Sequence, residues 1–433
     1  MTNKLHRQLI INAASGTICS AGNVLVMILS YPLYLHYLGL NGLGLWSVLS
    51  ILLTFLQLTS CGLAPAVTKL VAERLAAGDR VRVMSCVSTA AWSTLVFATF
   101  GFCVLCLTRD SVIELLNLEP EAAIFARKLV PYTAGISVYA LFVQVIAAVV
   151  PGTGRIDQSN IRDLVCRVLS LAVSIGMLAA GMGLVGMLIG SLSYHIAVHI
   201  TSYRLIRNRL GPGIHSLFWS RSDFVVLMKL GGGIAGSSLL GFLLQPLVKI
   251  VLSRYVNVSS VTIFEICHNS AMQLRGVIEA AVRAIMPEVS RLSALDRTAD
   301  AAIALRRRTQ SLVVYAGALV YSIPLLFAPS LLEFWLRNRY QTELVSSFRI
   351  MILASYISLA GVPAYYYLVG IGAANRIFMA NVLQSAVNVV LLGAAIVLGV
   401  RLSVELTCLS VLIGMGGGTL ALCVAARNVS RLT

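Results

Sequence analysis

Nine stretches of this chain contain no Asp, Glu, Lys or Arg: residues 8–68, 83–108, 129–154, 168–203, 230–248, 309–332, 350–375, 377–400 and 406–426. A helix of about 20 apolar residues is as long as the hydrocarbon core of a bilayer is thick. Lipid offers backbone N–H and C=O groups no partner, so only helices and closed barrels span it. Barrel strands would instead alternate apolar and polar residues over segments of about 10. The runs here are longer and do not alternate, which gives an all-α, multi-pass membrane protein. Only 12% of the residues are charged and 58% are hydrophobic, whereas soluble domains carry about 25% charge.

Most runs hold one span. The run 8–68 is long enough for two and breaks at Gly39, Asn41, Gly42 and Gly44; the run 168–203 breaks at Gly181-Met182-Gly183. Those readings give eleven spans. A twelfth is expected over 261–283, the one span that carries charge through its length. The expected organisation is a six-helix lobe over 1–207, a cytoplasmic linker over 208–224 and a second six-helix lobe over 225–433. Six spans per half point both halves the same way, so any internal repeat would turn about the membrane normal. Both halves open with a span bent late by proline, Pro32 and Pro246.

Orientation follows the basic residues. With the N-terminus inside, 24 of the 33 Lys and Arg residues fall on the cytoplasmic side and 9 outside. That asymmetry places both termini in the cytoplasm. The formal charge of +16 is then a topology signal with an affinity for anionic lipid, and no basic, aromatic-interleaved soluble segment points to nucleic acid. The amphipathic stretch 68–78 is expected on the cytoplasmic surface. The N-terminal apolar stretch runs straight into a second span, unlike a cleaved signal peptide.

Several motif-like features have plainer readings. The nine cysteines show no paired spacing across loops, and the Cys103–Cys106 pair has no surrounding βαβ pattern for redox work. His195 and His199 sit at i and i+4 but lack a third metal ligand. The segment Gly181-Met182-Gly183-Leu184-Val185-Gly186 spells a dinucleotide fingerprint, yet no strand precedes it. It reads as a turn followed by small-residue packing at Gly186 and Gly190, as do Gly232 with Gly236 and Gly414 with Gly418.

The span over 261–283 carries the strongest functional signal. Glu265, His268, Met272, Arg275 and Glu279 follow one another at three- and four-residue steps and therefore share a helix face. Asn269 and Gln273 widen it. Charge in hydrocarbon is costly unless it pairs or lines a wet cavity, so this face is read as lining a water-filled lumen. Arg275 and Glu279 alternatively pair or snorkel at the inner interface. Lys249 lies near the outer end of span seven, placed to hold an anion or to snorkel. Asn381, Gln384 and Asn388 share a face of span eleven, suited to lumen lining or to interhelical hydrogen bonds.

Short segments between the spans carry a resemblance. Tyr37-Leu38-Gly39, Gly42-Leu43-Gly44-Leu45-Trp46-Ser47 and Gly62-Leu63-Ala64-Pro65-Ala66 come in order through the first two spans. Gly154-Arg155-Ile156-Asp157, Pro287-Glu288-Val289-Ser290 and Phe334-Trp335-Leu336 follow spans four, eight and nine. In sequence and placement they resemble the Wzx-like polysaccharide flippases of the multidrug/oligosaccharidyl-lipid/polysaccharide exporter superfamily. The chain departs from that pattern at Thr59-Ser60-Cys61, where an acidic residue is common, and at Val261 and Phe264, in place of glycine and tyrosine.

The resemblance implies twelve helices in two six-helix lobes around a central cavity that opens alternately to each side of a bacterial inner membrane. It implies an undecaprenyl-diphosphate-linked oligosaccharide as substrate, flipped to the periplasmic leaflet for O-antigen, lipopolysaccharide or exopolysaccharide synthesis. On that reading Arg275 and Lys249 would meet the diphosphate. Asn269, Gln273 and His268 would meet the rest of the substrate, and Glu265 would couple or gate. A glycan polymerase, chain-length machinery and an H+ or Na+ counter-ion are the implied partners; no cofactor, metal or nucleic acid is expected.

No constellation for covalent chemistry is present, so a translocator is expected and not an enzyme. The nearest rival is a multidrug exporter of the same superfamily, whose proton-coupled members carry an acidic residue in span one; spans one and two here have none. A major-facilitator carrier would need a glycine-rich basic loop after span two. A membrane polymerase or ligase would need a large outer loop. Neither is present in the sequence.

Overall fold

The computed structural model describes residues 2–60, 62–211, 218–283, 299–337, 342–371 and 373–429. Among these all regular structure is helical. The first half runs α1 (Thr2–Leu58), α2 (Leu63–Ala76), α3 (Arg80–Leu107), α4 (Arg109–Leu116), α5 (Pro120–Ala147), α6 (Val149–Gly152), α7 (Ile156–Ala179) and α8 (Gly183–Leu210). The second runs α9 (Arg221–Tyr255), α10 (Val258–Arg283), α11 (Ala299–Leu326), α12 (Ala328–Leu336), α13 (Thr342–Ala360), α14 (Val362–Gly370), α15 (Ala374–Val397) and α16 (Val404–Val429).

Eight helices among the described residues are long and apolar enough to cross a membrane. One of them, over 14–58, has 45 residues, which at 1.5 Å per residue is about twice a bilayer core. It breaks where the sequence predicts. Gly39 adopts φ 67° and ψ −176°, a backbone that a side chain would strain and glycine does not. Three further helices, α7, α9 and α10, are long enough but carry charge within their length.

The chain divides into two compact units: residues 1–22 with 33–242, and residues 23–32 with 243–433. In the first, the stretch 68–78 forms most of α2, as its periodicity predicts. Leu63, Val67, Leu70 and Val71 are buried against Val83, Val87 and Ala90 of α3, while Lys69 and Glu73 pair at 3.7 Å on the outer face. Asp79 caps α3 by accepting from the Arg82 backbone N–H at 3.0 Å, one of the orphan donors of a helix start. The segment 109–116 forms the short helix α4, with Ile113 and Leu116 buried.

Helices α7 and α8 meet through the small residues expected to bring them together. A Cβ at Gly186 would lie 2.9 Å from that of Met177, and one at Gly190 would overlap the Ser174 hydroxyl. The turn between them uses Gly181 at φ 80°. Both helices outrun the charge-free segment, so Arg162 lies inside α7 and is buried.

In the second unit the same device joins α15 and α16. A Cβ at Gly414 would meet the Gln384 carbonyl at 2.9 Å, and one at Gly418 the Gln384 side chain at 2.8 Å. Asn388 is buried there and donates to Ser410 Oγ at 3.1 Å. That is the interhelical hydrogen bond anticipated for the span-eleven face. Gly232, by contrast, faces open space among the described residues. The segment Pro287–Ser290, together with Cys61, Arg291, Arg297 and Arg339, lies outside the described residues.

Candidate functional site

The polar stripe lies on α10 in the second unit. One face of that helix is core: Ile263, Phe264, Cys267 and Ala271 are buried, and Ser355 of α13 donates to the Ala271 carbonyl at 2.7 Å. The stripe occupies the other face, where Glu265, His268, Asn269, Gln273 and Arg275 are all half-buried. Period 3.6 gathers most of the polar positions on this side, with Met272 among them.

Structure joins two residues that sequence spacing could not. Lys249, on α9, places its Nζ 3.3 Å from Glu265 Oε2, with side chains 7% and 18% exposed. The predicted anion ligand and the predicted coupling carboxylate are therefore one ion pair. The other carboxylate oxygen faces Asn269, whose Nδ2 is 3.5 Å away and also donates to Tyr31 Oη at 2.7 Å. Lys249, Glu265, Asn269 and Tyr31 form a continuous polar chain inside one unit.

Tyr31 was invisible as a site residue because it lies in a long apolar run beside Pro32. Its ring meets Trp335 edge to face, with centroids 6.0 Å apart at 83°. Trp335 Nε1 donates to the Ile28 carbonyl at 2.6 Å. Proline at 32 has no N–H, so Ile28 lacks its usual helical donor, and the indole supplies one. The bend therefore leaves a backbone acceptor that Trp335 fills.

A second pair sits nearly three turns beyond Glu265 along α10. Arg275 Nε is 3.5 Å from Glu279 Oε2, an ion pair in which that nitrogen makes no hydrogen bond among the described residues. Glu279 Oε1 accepts from the Tyr366 hydroxyl at 3.1 Å. Arg275 thus has a carboxylate neighbour but keeps donor capacity. His268 stacks on Phe264 with centroids 5.5 Å apart, and among the described residues its Nδ1 has no hydrogen-bond partner. Gln273 lies on the same face without joining either pair.

His199 shares a 2.9 Å hydrogen bond with Tyr139 Oη, and no group of three metal-ligating side chains occurs among the described residues.

What the arrangement can do chemically is bind and release charge. A lysine held by one carboxylate can exchange it for a phosphate oxygen, and a carboxylate relieved of its lysine can take a cation or proton.

Comparison with known proteins gives the chain its relatives. A family model described as polysaccharide biosynthesis protein matches residues 38–345. No curated protein matches in sequence. An inward-facing multidrug resistance MATE family transporter of the MOP superfamily superposes with a TM-score of 0.81 at 14% identity, covering 98% of each chain. The lipid II flippase MurJ, in an inward closed conformation, gives 0.76 at 12% identity over 95% of this chain and 87% of its own. The Vibrio cholerae MATE transporter VcmN in its bent form gives 0.66 at 15% identity over 99% and 98%. These likenesses show a shared fold.

Proposed function

The chain belongs to the polysaccharide biosynthesis protein family, and from that premise we propose that it flips an undecaprenyl-diphosphate-linked oligosaccharide from the cytoplasmic to the periplasmic leaflet by alternating access. The observation that carries this reading is the Lys249–Glu265 pair on the polar face of α10. A soluble sugar carrier needs no cation in its apolar interior; a lipid diphosphate does.

In the proposed cycle the diphosphate draws Lys249 away from Glu265, exchanging a carboxylate partner for a phosphate. Glu265, still held by Asn269, then takes a proton or Na+ as counter-ion. Arg275 offers a second, bidentate contact once it turns from Glu279. Asn269, Gln273 and His268 supply hydrogen bonds to the adjoining sugar. Twelve spans in two lobes, 1–207 and 225–433 joined by 208–224, with both termini in the cytoplasm of a bacterial inner membrane, complete the proposal. A glycan polymerase and chain-length machinery would receive the product.

Depletion of the protein tests the reading. Undecaprenyl-diphosphate-linked oligosaccharide should accumulate on the cytoplasmic leaflet, and surface polysaccharide should fall. Unchanged lipid-linked oligosaccharide together with raised sensitivity to organic cations would favour the multidrug exporter. For orientation, Glu114→Cys in a cysteine-free background should react with an impermeant thiol reagent in whole cells, and Ala77→Cys should not.

A further inference from the structure

The first unit holds a partly open cavity of about 320 Å³ between α5, α7, α8 and the end of the helical stretch before residue 58. One wall is an apolar stripe of α5. Apart from Val198, the rest of the lining is polar, with Gln57, Gln144, Asp163, Ser191, Tyr194 and His195 joined by Ser137. Arg162 borders the same space.

The charges at this cavity cancel. Arg162 directs Nε and Nη2 to Asp163 Oδ1 at 2.9 and 2.8 Å, and Nη2 also to Ser159 Oγ at 3.0 Å. Its Nη1 reaches Ser202 Oγ at 2.9 Å and the Ala147 carbonyl at 3.4 Å. A guanidinium has five N–H donors, and all five are engaged within the protein. Arg162 therefore has no donor left for a phosphate, and it neutralises the carboxylate that would otherwise attract an organic cation. What faces the cavity with spare capacity is two amides, a hydroxyl, a phenol, an imidazole and the second oxygen of Asp163.

That inventory mixes donors and acceptors without net charge, against one apolar wall. It suits a neutral ring that is polyhydroxylated on its edge and apolar on its face. The volume lies at the small end of the roughly 300–1,000 Å³ of ligand pockets, enough for one sugar ring. We propose that the cavity of the first unit is a monosaccharide subsite for the glycan of the lipid-linked substrate. The subsite rests on the transport reading above and adds a contact for the neutral part of the substrate, with Gln144 and His195 as the residues that select the sugar.

Saturation-transfer NMR on the full chain in detergent micelles, with a panel of methyl glycosides as probes, tests the subsite. At least one glycoside should bind and be displaced by another glycoside, but neither by inorganic diphosphate nor by tetraphenylphosphonium. Gln144→Leu and His195→Leu should each weaken it at least tenfold. Ser191→Phe, which fills the space from another wall, should abolish it, with the thermal unfolding midpoint of every variant checked against the parent. Absence of glycoside binding, displacement by either ion, or full binding by Ser191→Phe would overturn the subsite. Because lipid-linked oligosaccharide accumulation is measured separately in depleted cells, the transport reading can stand while the subsite falls.

Discussion

Trp335 donates its indole N–H to the carbonyl of Ile28, the acceptor that Pro32 deprives of its helical partner. The two features depend on each other, and each gains meaning from the other. Trp335→Phe keeps the ring beside Tyr31 but leaves Ile28 short of a donor, which should lower stability by about 1 kcal/mol. In a Pro32→Ala background the residue 32 N–H returns to Ile28, and the same change should cost markedly less. Unfolding midpoints of the parent, both single variants and the double variant give the coupling directly. Equal losses in both backgrounds would show that the indole matters only as a ring.

The Lys249–Glu265 pair makes a sharper prediction, since both groups are largely withdrawn from solvent. Removing one partner of a buried pair leaves a lone charge and typically costs about 3–5 kcal/mol. Lys249→Ala should therefore reduce membrane levels or the unfolding midpoint strongly. Adding Glu265→Gln should restore most of the stability while leaving transport absent. Glu265→Gln alone retains shape and hydrogen bonding to Asn269 but cannot ionise, so transport should fall. If Glu265→Gln complements as well as the parent in a flippase-deficient strain, the coupling role is wrong.

Much of the helical plan was legible because bilayer spans are long, uncharged and bounded by glycine or by charge. The break at Gly39, the turn at Gly181 and the close approaches at Gly190 and Gly418 all follow from local sequence. The stripe on α10 was legible for the same reason, through period 3.6. The Lys249 partnership was not, because it joins neighbouring helices and sequence spacing says nothing about which faces meet. Tyr31 and the unit 1 cavity escaped notice for a related reason. A tyrosine or glutamine in an apolar run looks like ordinary span composition until tertiary packing gathers several of them. Arg162 lies in α7 although no charge-free run includes it, because helices extend beyond the uncharged residues that reveal them.

Small-residue packing between α7 and α8 predicts a graded response. Gly190→Ala would drive its methyl into Ser174, and overpacking of this kind typically costs about 1–3 kcal/mol. Gly176→Ala, on the neighbouring helix, meets nothing within 4 Å and should be neutral or slightly stabilising. Ser174→Gly should partly rescue Gly190→Ala. Detergent-solubilised unfolding midpoints would read all four proteins, and a harmless Gly190→Ala would mean the two helices can separate freely.

Asp157, in the loop-proximal first turn of α7, links stability to pH. The Arg155 guanidinium, bonded at 2.9 and 2.8 Å, holds its carboxyl below the ordinary carboxylate range. Gln8 and Asn12 bind the same residue through its side chain and backbone N–H. A carboxyl depressed in the folded state contributes stability above its unfolded pKa, about 3.9, and loses it as pH falls through the folded value. The parent should thus unfold at higher temperature than Asp157→Asn near neutral pH. That difference should persist to about pH 4 and close below it. A difference that stays constant to pH 3 would mean the ionised carboxylate contributes nothing.

Arg275 separates two meanings of a cation on the stripe. As a diphosphate ligand it needs a planar fork, since a guanidinium bonds phosphate bidentately and an ammonium does not. As an interfacial residue paired with Glu279 it needs only positive charge, because an i,i+4 pair open to the interface is worth a few tenths of a kcal/mol whichever cation supplies it. Its loose 3.5 Å separation from Glu279 leaves room for either. The ligand role predicts that Arg275→Lys loses part of the transport and Arg275→Ala nearly all of it, at unchanged protein levels. The interfacial role predicts full transport by Arg275→Lys and nearly full transport by Arg275→Ala. Glu279→Gln adds an independent reading: releasing Arg275 from its carboxylate should tighten diphosphate-lipid binding if the guanidinium is a ligand and leave it unchanged if it is an anchor. Complementation by Arg275→Ala at matched expression would move the anion site to Lys249 alone.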